Sequence, residues 1–168
     1  MRVLVIASCI LLLSSLGWAQ QPAAQSGPPP DLTKGMYMSA GDVSKAVAAG
    51  AAKQGTSPNA STRVFQLAPF NVNIEHRIEV PQSASIHDKD AELFYIIDGT
   101  ATIVTGGKLV DPVRTGDNVS GKSIEGGTAQ VIGKGDFVLV PAGVAHWFSN
   151  VQGSLTQMAL HLPMPASK

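Results

Sequence analysis

The stretch that decides the fold is "GDFVLVPAGVAHWFSN", residues 135–150. Its first apolar run, Phe137 to Val140, is typical of a short buried strand. The Pro-Ala-Gly sequence at 141–143 predicts a tight turn, and a second strand follows it. In that second strand His146 and Phe148 share one face, which the turn directs inward. The chain has four histidines, so one placed behind its most apolar strand calls for a chemical explanation.

Alternation of apolar and polar residues extends from this stretch over most of the chain after residue 70. Strands are predicted at 72–80, 92–97, 101–105, 128–132, 137–140, 145–150 and 154–161. Glycine-rich turn sequences separate them. Many short strands with frequent glycines favour an antiparallel sandwich or small barrel over βαβ units. The more polar segment 108–127 is predicted to be a long loop or an irregular hairpin.

The alternation also predicts which side chains face the interior. In the first strand Ile74 and Ile78 take the inward face together with His76, which leaves Glu75 and Arg77 outside. The interior residues predicted in the later strands are Phe94, Ile96, Val138, Val140 and Phe148. One weakly amphipathic helix is predicted before the strands, near residues 40–53, capped by Ser39 and ended by Gly55.

The first 19 residues have the pattern of a secretory signal peptide. A basic start at Arg2 precedes an apolar core too short to span a bilayer, and small residues lie before the expected cleavage after Ala19. Residues 20–35 include three consecutive prolines and are predicted to be a flexible linker. Residues 36–168 are then a single domain. We expect an exported protein, periplasmic or secreted, without an integral membrane segment after cleavage.

The charge balance restricts the partners of the chain. Lysine and arginine total 12 and aspartate and glutamate total 12, with no basic run. A nucleic-acid partner or an anionic membrane surface is therefore not expected. A small-molecule ligand or substrate is the partner that remains.

A second segment, "HDKDAELFYIIDG" at residues 87–99, places a carboxylate among apolar residues. Glu92 shares a strand face with Phe94 and Ile96, and a buried carboxylate is costly unless it meets a cation or a metal. Because His87 and Glu92 are an odd number of residues apart, they converge only if the chain turns between them. A hairpin turn at "DKDA" is predicted to bring them together. His87, Glu92 and His146 would form a facial metal site with open positions.

The alternatives to a metal site are that His146 pairs with a backbone carbonyl and that Glu92 pairs with Lys89 or Arg77. His76 would either line the cavity or be a satisfied core histidine. His161, beside Leu160 and Leu162, is expected to have no catalytic role.

The spacing of both segments resembles the two motifs of the cupin family. The second motif is matched by Gly135, Pro141, Gly143, His146 and Asn150, and the end of the first by His87, Glu92 and Gly99. The resemblance implies a small exported single-domain cupin: all-β, an antiparallel jelly-roll β-barrel with one short N-terminal helix. It further implies a divalent metal ion between the motifs, with iron, manganese, zinc and nickel as the candidates.

One position departs from the family pattern. The first histidine of the family's first motif, two residues before the second, falls on Ser85. The ligand set that the resemblance implies is therefore reduced to His87, Glu92 and His146. His76, Ser85, Phe94 and Phe148 are the candidates for lining the pocket.

Three functions stay open from the sequence. The first is a metal-dependent enzyme of the dioxygenase, isomerase or lyase class that acts on a small molecule. The second is a non-catalytic module that binds a small sugar or carboxylate, which the missing histidine favours. The third is an interaction role, because the resemblance also implies a homodimer formed through strands near the N-terminus.

Overall fold

The computed structural model describes residues 33–67 and 70–164. The elements are α1 (Ala40–Gln54), β1 (Asn59–Leu67), β2 (Phe70–Ile78), β3 (Ala84–His87), β4 (Asp90–Thr105), β5 (Lys108–Val110), β6 (Val113–Thr115), β7 (Asn118–Gly121), β8 (Ser123–Glu125), β9 (Thr128–Gly133), β10 (Phe137–Val140) and β11 (His146–Pro163). The predicted all-β fold with one N-terminal helix is confirmed. The predicted signal peptide, and the linker as far as residue 32, lie outside the described residues.

Two long strands organise the sheet. β4 and β11 pair antiparallel over their whole lengths, from His146 opposite Thr105 to Pro163 opposite Asp90. The first part of β4 also pairs with β10 and the second part with β9. On its other edge β11 pairs with β2, and β2 pairs with β1. The first residue of β11 pairs with β3, β3 pairs with β7, and β7 pairs with β6. All pairings are antiparallel, as expected for a jelly roll.

The predicted breaks at 98–99 and 150–154 bend these strands without ending them. Gly99 has a positive φ of 89°, and a Cβ there would lie 2.1 Å from the backbone oxygen of Ser154. Only glycine fits such a close approach of two backbones. Each long strand therefore crosses from one part of the sheet to the other at its glycine bend, instead of forming two separate strands.

The predicted interior is confirmed for the later strands. Phe94 and Ile96 are fully buried, Phe148 and Val140 are buried, and Val138 packs against the same cluster. The rings of Phe94 and Phe148 meet edge to face at 5.2 Å between centroids. This arrangement is the favourable one for two aromatic rings.

The predicted orientation of β2 is wrong. Glu75 is buried, where it accepts hydrogen bonds from Arg77 (2.8 Å) and from the fully buried Gln157 (2.9 Å). Arg77 also lies 4.2 Å from the centre of the Phe148 ring. The apolar face of β2 turns towards α1, because that helix packs on β1 and β2 and covers it. These polar residues bond to one another in the interior, although Arg77 Nε and Gln157 Oε1 have no hydrogen-bond partner among the described residues.

The outer faces of the sheet are covered at two places. Ser39 is the N-cap of α1, as predicted, because its hydroxyl accepts a hydrogen bond from the Asp42 amide at 3.1 Å. The β5–β8 pair, within the segment predicted as a loop or hairpin, contributes Leu109 and Ile124 to a second cluster with Trp147. Within the part of the chain that the structure describes, no helix is both long and apolar enough to cross a bilayer.

Candidate metal centre

The candidate site is built around the carboxylate of Glu92, which is 4% exposed on the inner face of β4. Its Oε2 atom lies 3.4 Å from His87 Nε2 and 3.2 Å from His146 Nε2. Its Oε1 atom lies 3.3 Å from His161 Nε2. One buried carboxylate thus contacts three of the four histidines of the chain. Glu92, His87, His146 and His161 are called the cluster from here on.

His87 reaches Glu92 by a different path from the predicted hairpin. β3 pairs with β7 and β11, whereas β4 pairs with β9, β10 and β11, so β3 and β4 are not hairpin partners. Asp88 and Lys89 instead carry the chain from one part of the sheet to the other. The hairpin prediction is therefore wrong, although the two side chains lie close together.

His146 is positioned by the turn that precedes it. The Val144 amide donates to the Pro141 carbonyl at 3.1 Å, and the Gly143 amide donates to the His87 carbonyl at 2.8 Å. Gly143 has a φ of 76°, which favours glycine. The turn therefore fastens the start of β11 to the end of β3 and holds His146 next to His87.

His161 was given no role from the sequence, yet it lies in the cluster. In β11 it is the register partner of Glu92, so both side chains lie on the same sheet face. The ligand atoms of His87, Glu92 and His161 all lie within 4.8 Å of one another. The predicted ligand His146 is outside that group, although its Nε2 atom lies 3.2 Å from Glu92 Oε2. The sequence contained a signal for this position, because His161 has the same strand parity as Leu155, Gln157 and Ala159. In the structure these three residues are buried.

Further side chains orient the imidazoles. The Nδ1 atom of His87 lies 2.8 Å from Asn118 Oδ1, and that of His161 lies 3.8 Å from Asp90 Oδ2. When His87 Nδ1 carries the proton and donates it to Asn118, the lone pair of Nε2 faces Glu92. This orientation is typical of metal-binding histidines, whose second nitrogen donates to a neighbouring oxygen.

The donors fit a divalent cation. Glu92 Oε2 is buried and has no hydrogen-bond partner among residues 33–67 and 70–164. The predicted alternative partners of Glu92 are engaged elsewhere: Arg77 pairs with Glu75, and Lys89 pairs with Asp117. A buried carboxylate without a lysine or arginine requires other compensation, which protonated imidazoles or a metal ion between the imidazoles would provide.

The electrostatics of the cluster favour an ionised carboxylate. Burial by itself would raise the pKa of Glu92, but the contacts with His146 and His87, together with the charge of His161, lower it well below its usual range. Burial would likewise lower the pKa of His87, but Glu92, Asn118 and Asp90 outweigh it and raise that pKa. Glu92 is therefore a charged donor at neutral pH.

The predicted lining residues have different positions. Phe94 lies 5.8 Å from the His146 ring, between centroids, and Phe148 lies behind Phe94. Ser85 is the register partner of His146, so it lies on the same face. His76 is away from the cluster, because its Nδ1 contacts Gln54 Oε1 of α1 at 2.8 Å.

Two cavities are lined by neighbours of His146. A cleft of about 340 Å³ is lined by Thr105, the second register partner of His146, but by none of His87, Glu92, His146 and His161. Thr128 and Gln130 add polar groups to it, and Ile103 and Val138 add apolar ones. A larger groove of about 500 Å³ surrounds Trp147 and Gln82, and none of the four cluster residues lines it. The cluster itself meets solvent through His87 and His161, whose side chains are 20% and 27% exposed.

The comparison with protein families agrees with the motif spacing. A family model described as "Cupin" matches residues 82–161, a segment that contains the four cluster residues. A search of curated protein sequences found no match. Solved structures with a similar fold include three at low sequence identity: Fe(II) HppE (14% identity, 62% of this chain and 51% of that chain, TM-score 0.49), the Cnp3 cupin domain of Schizosaccharomyces pombe (12%, 65% and 67%, 0.49), and TT1209 from Thermus thermophilus (15%, 66% and 88%, 0.47). The chain thus spans about half the length of HppE.

Proposed function

We propose that this chain, which belongs to the cupin superfamily, binds one divalent metal ion through His87, Glu92 and His146 and acts there on a small molecule. The observation that carries the proposal is the buried Glu92 Oε2 atom, which lacks a hydrogen-bond partner among the described residues and faces two imidazole Nε2 atoms. Two imidazoles and a carboxylate are the donors of a facial metal site.

The proposed activity is that of a metal-dependent enzyme of the dioxygenase, isomerase or lyase class. A bound ion would supply Lewis-acid or redox chemistry, according to whether it is zinc, nickel, manganese or iron. The chain would contribute the rest: His87 and His161 border the solvent-exposed side of the cluster, and Phe94 and Phe148 form an apolar wall behind it. Thr105 and Gln130 offer a hydroxyl and an amide to a small polar ligand in the cleft that they line.

The test is metal analysis of protein purified without a histidine tag. We expect one divalent ion per chain in the wild type and loss of the ion in H146A, with the circular dichroism spectrum unchanged. H76A is the matched control, since His76 contacts α1 and lies outside the cluster, and it should retain the ion. Full metal occupancy in H146A, or none in the wild type, would contradict the proposal.

A second experiment separates the enzyme from a binding module. The metal-loaded protein would be incubated with small carboxylates and sugars, and both bound ligand and products would be measured. Turnover that H146A loses would support the enzyme. Binding without turnover would support the non-catalytic module for a sugar or carboxylate.

We also propose that the chain is exported to the periplasm or secreted, with cleavage after Ala19, a linker over residues 20–35 and one cupin domain over residues 36–168. The support is the basic and apolar character of the first residues. Mass spectrometry of the exported protein should give an N-terminus at Gln20. A retained residue 1, or an N-terminus within the strands, would contradict this proposal.

A homodimer is proposed as well. Phe137 and Leu139 are 67% and 59% exposed on β10, a strand that pairs only with β4 among the described residues, and a partner could cover them. Light scattering after size-exclusion chromatography would distinguish a dimer from a monomer.

A further inference from the structure

We propose that His161, on the last strand, supplies the imidazole that is missing at Ser85, so that the metal centre has three histidines and one glutamate. This inference rests on the proposed metal site and adds to it a ligand from outside both sequence motifs. It assigns a role to the histidine that the sequence left without one.

The first observation concerns Ser85. Its backbone is directly opposite His146, so its side chain lies on the face that carries the cluster. A serine hydroxyl is shorter than an imidazole and is not among the usual protein donors for zinc, which are thiolate, imidazole and carboxylate. The position next to His146 therefore offers no strong ligand.

The second observation concerns His161. Its Nε2 atom lies 3.3 Å from Glu92 Oε1, whereas His87 and His146 face the other oxygen, Oε2. Its ring meets that of His87 edge to face at 5.0 Å between centroids. The ligand atoms of His161, His87 and Glu92 lie mutually within 4.8 Å, a span over which small side-chain rotations can bring them to one ion.

The third observation concerns orientation. Asp90 Oδ2 lies 3.8 Å from Nδ1 of His161, on the side of the ring away from Glu92 Oε1. Asn118 has the same place relative to His87. Both imidazoles thus have an oxygen behind them and Glu92 in front; the oxygen of Asn118 is within hydrogen-bond distance of His87, and that of Asp90 is an ion-pair neighbour of His161.

A structural consequence follows for the end of β11. Leu162 and Pro163 pair with Ala91 and Asp90, and the Met164 amide donates to the Lys89 carbonyl at 2.8 Å. An ion held by His161 and His87 would join this terminal segment to β3. Hydrogen exchange of the amides near residues 161–164 should therefore slow when the metal binds.

The experiment measures zinc affinity by competition with a chelator, for metal-free wild type, H161A and the double variant S85H/H161A. We expect H161A to bind zinc more than about 100-fold more weakly, because losing a side chain that only supports a ligand already costs about 10- to 100-fold. S85H/H161A should regain affinity to within about tenfold of the wild type, since Ser85 adjoins His146. H76A is the control for removing a histidine elsewhere.

The outcomes separate this inference from the proposed function. A wild type that does not bind zinc would contradict the proposed metal site itself. A wild type that binds zinc, with H161A binding equally tightly, would overturn only the role of His161. A double variant no tighter than H161A would overturn the substitution for Ser85. Circular dichroism of the metal-free variants identifies unfolding, and if H161A unfolds, H161Q takes its place with the same expected loss.

Discussion

At the scale of single residues, the central feature is the carboxylate of Glu92 and the side chains that surround it. Three imidazole nitrogens face its two oxygens at 3.2 to 3.4 Å. The sequence predicted two of these neighbours, His87 and His146. Glu92 and His146 could be assigned to the interior because Phe94 and Phe148 mark the inward faces of their strands. His161 could not be predicted with the same certainty, because two register shifts in β11, one of them at Gly153, interrupt the count of inward positions between residues 148 and 155.

Asn118 is predicted to support the metal centre without contacting the ion. Its Oδ1 atom lies 2.8 Å from His87 Nδ1, so N118A would free the ring of His87 to rotate. We expect zinc affinity to fall by about 10- to 100-fold, the usual effect of removing such a partner. Chelator competition measures it. S120A is the matched control, since Ser120 is on the same strand and its hydroxyl contacts the Val113 carbonyl instead.

Metal binding should weaken as the pH falls, and the decline should begin above pH 6.5. A metal ligand must be neutral imidazole, and the pKa of His87 is raised above its ordinary value, so protons compete with the metal at a higher pH than for a free histidine. Zinc affinity measured between pH 5 and 9 tests this. An affinity that stays constant down to pH 6 would contradict it.

The stability of the metal-free fold should also depend on pH, and above neutral pH it should fall as the pH rises. The raised pKa of His87 stabilises the fold below pH 6.5, and that contribution is lost as pH rises through the raised pKa. The lowered pKa of Glu92 contributes stability above its ordinary value of about 4.5, which is lost as pH falls. Thermal unfolding midpoints of metal-free protein should therefore decline above pH 6.5, whereas those of the zinc-bound protein should not.

At the scale of elements, the sequence predicted the inward faces of β4, β10 and the start of β11 but not that of β2, and it did not predict β1 or β3. Alternation in β2 marked the strand correctly, but both of its faces are covered, one by α1 and one by the interior. A period of two cannot distinguish two covered faces, so the apolar set was assigned to the wrong one. The hairpin between His87 and Glu92 failed for a similar reason: close side chains can also come from strands that are not paired.

The buried polar group on β2 is predicted to be sensitive to removal of its cation. Arg77 donates to Glu75 and to Gln82 at 3.2 Å, and its side chain is 13% exposed. R77A would leave the Glu75 carboxylate without its charged partner and should lower the free energy of unfolding by about 3–5 kcal/mol. Chemical denaturation measures the loss. K45A is the control, because Lys45 makes an exposed pair with Asp42 and should change stability by less than about 1 kcal/mol. A loss equal to that of K45A would contradict the prediction.

At the scale of the whole molecule, one sheet holds the four cluster residues at a point where three strands meet. β3 brings His87, β4 brings Glu92, and the two ends of β11 bring His146 and His161. His87 and Glu92 are close along the chain, but His146 and His161 come from much later in it, so the folded sheet is needed to assemble all four. The apolar interior packs behind the cluster through Phe94, which explains how the fold can form before any ion binds.

X-ray absorption of the zinc-loaded wild-type protein tests this centre most directly, because it counts the imidazoles around the ion. The predicted spectrum has three imidazole nitrogens and carboxylate oxygen at about 2.0 to 2.2 Å from one zinc ion per chain. H161A should lose one imidazole from that shell if it still holds zinc. An oxygen shell with one imidazole or none would contradict the metal centre described here.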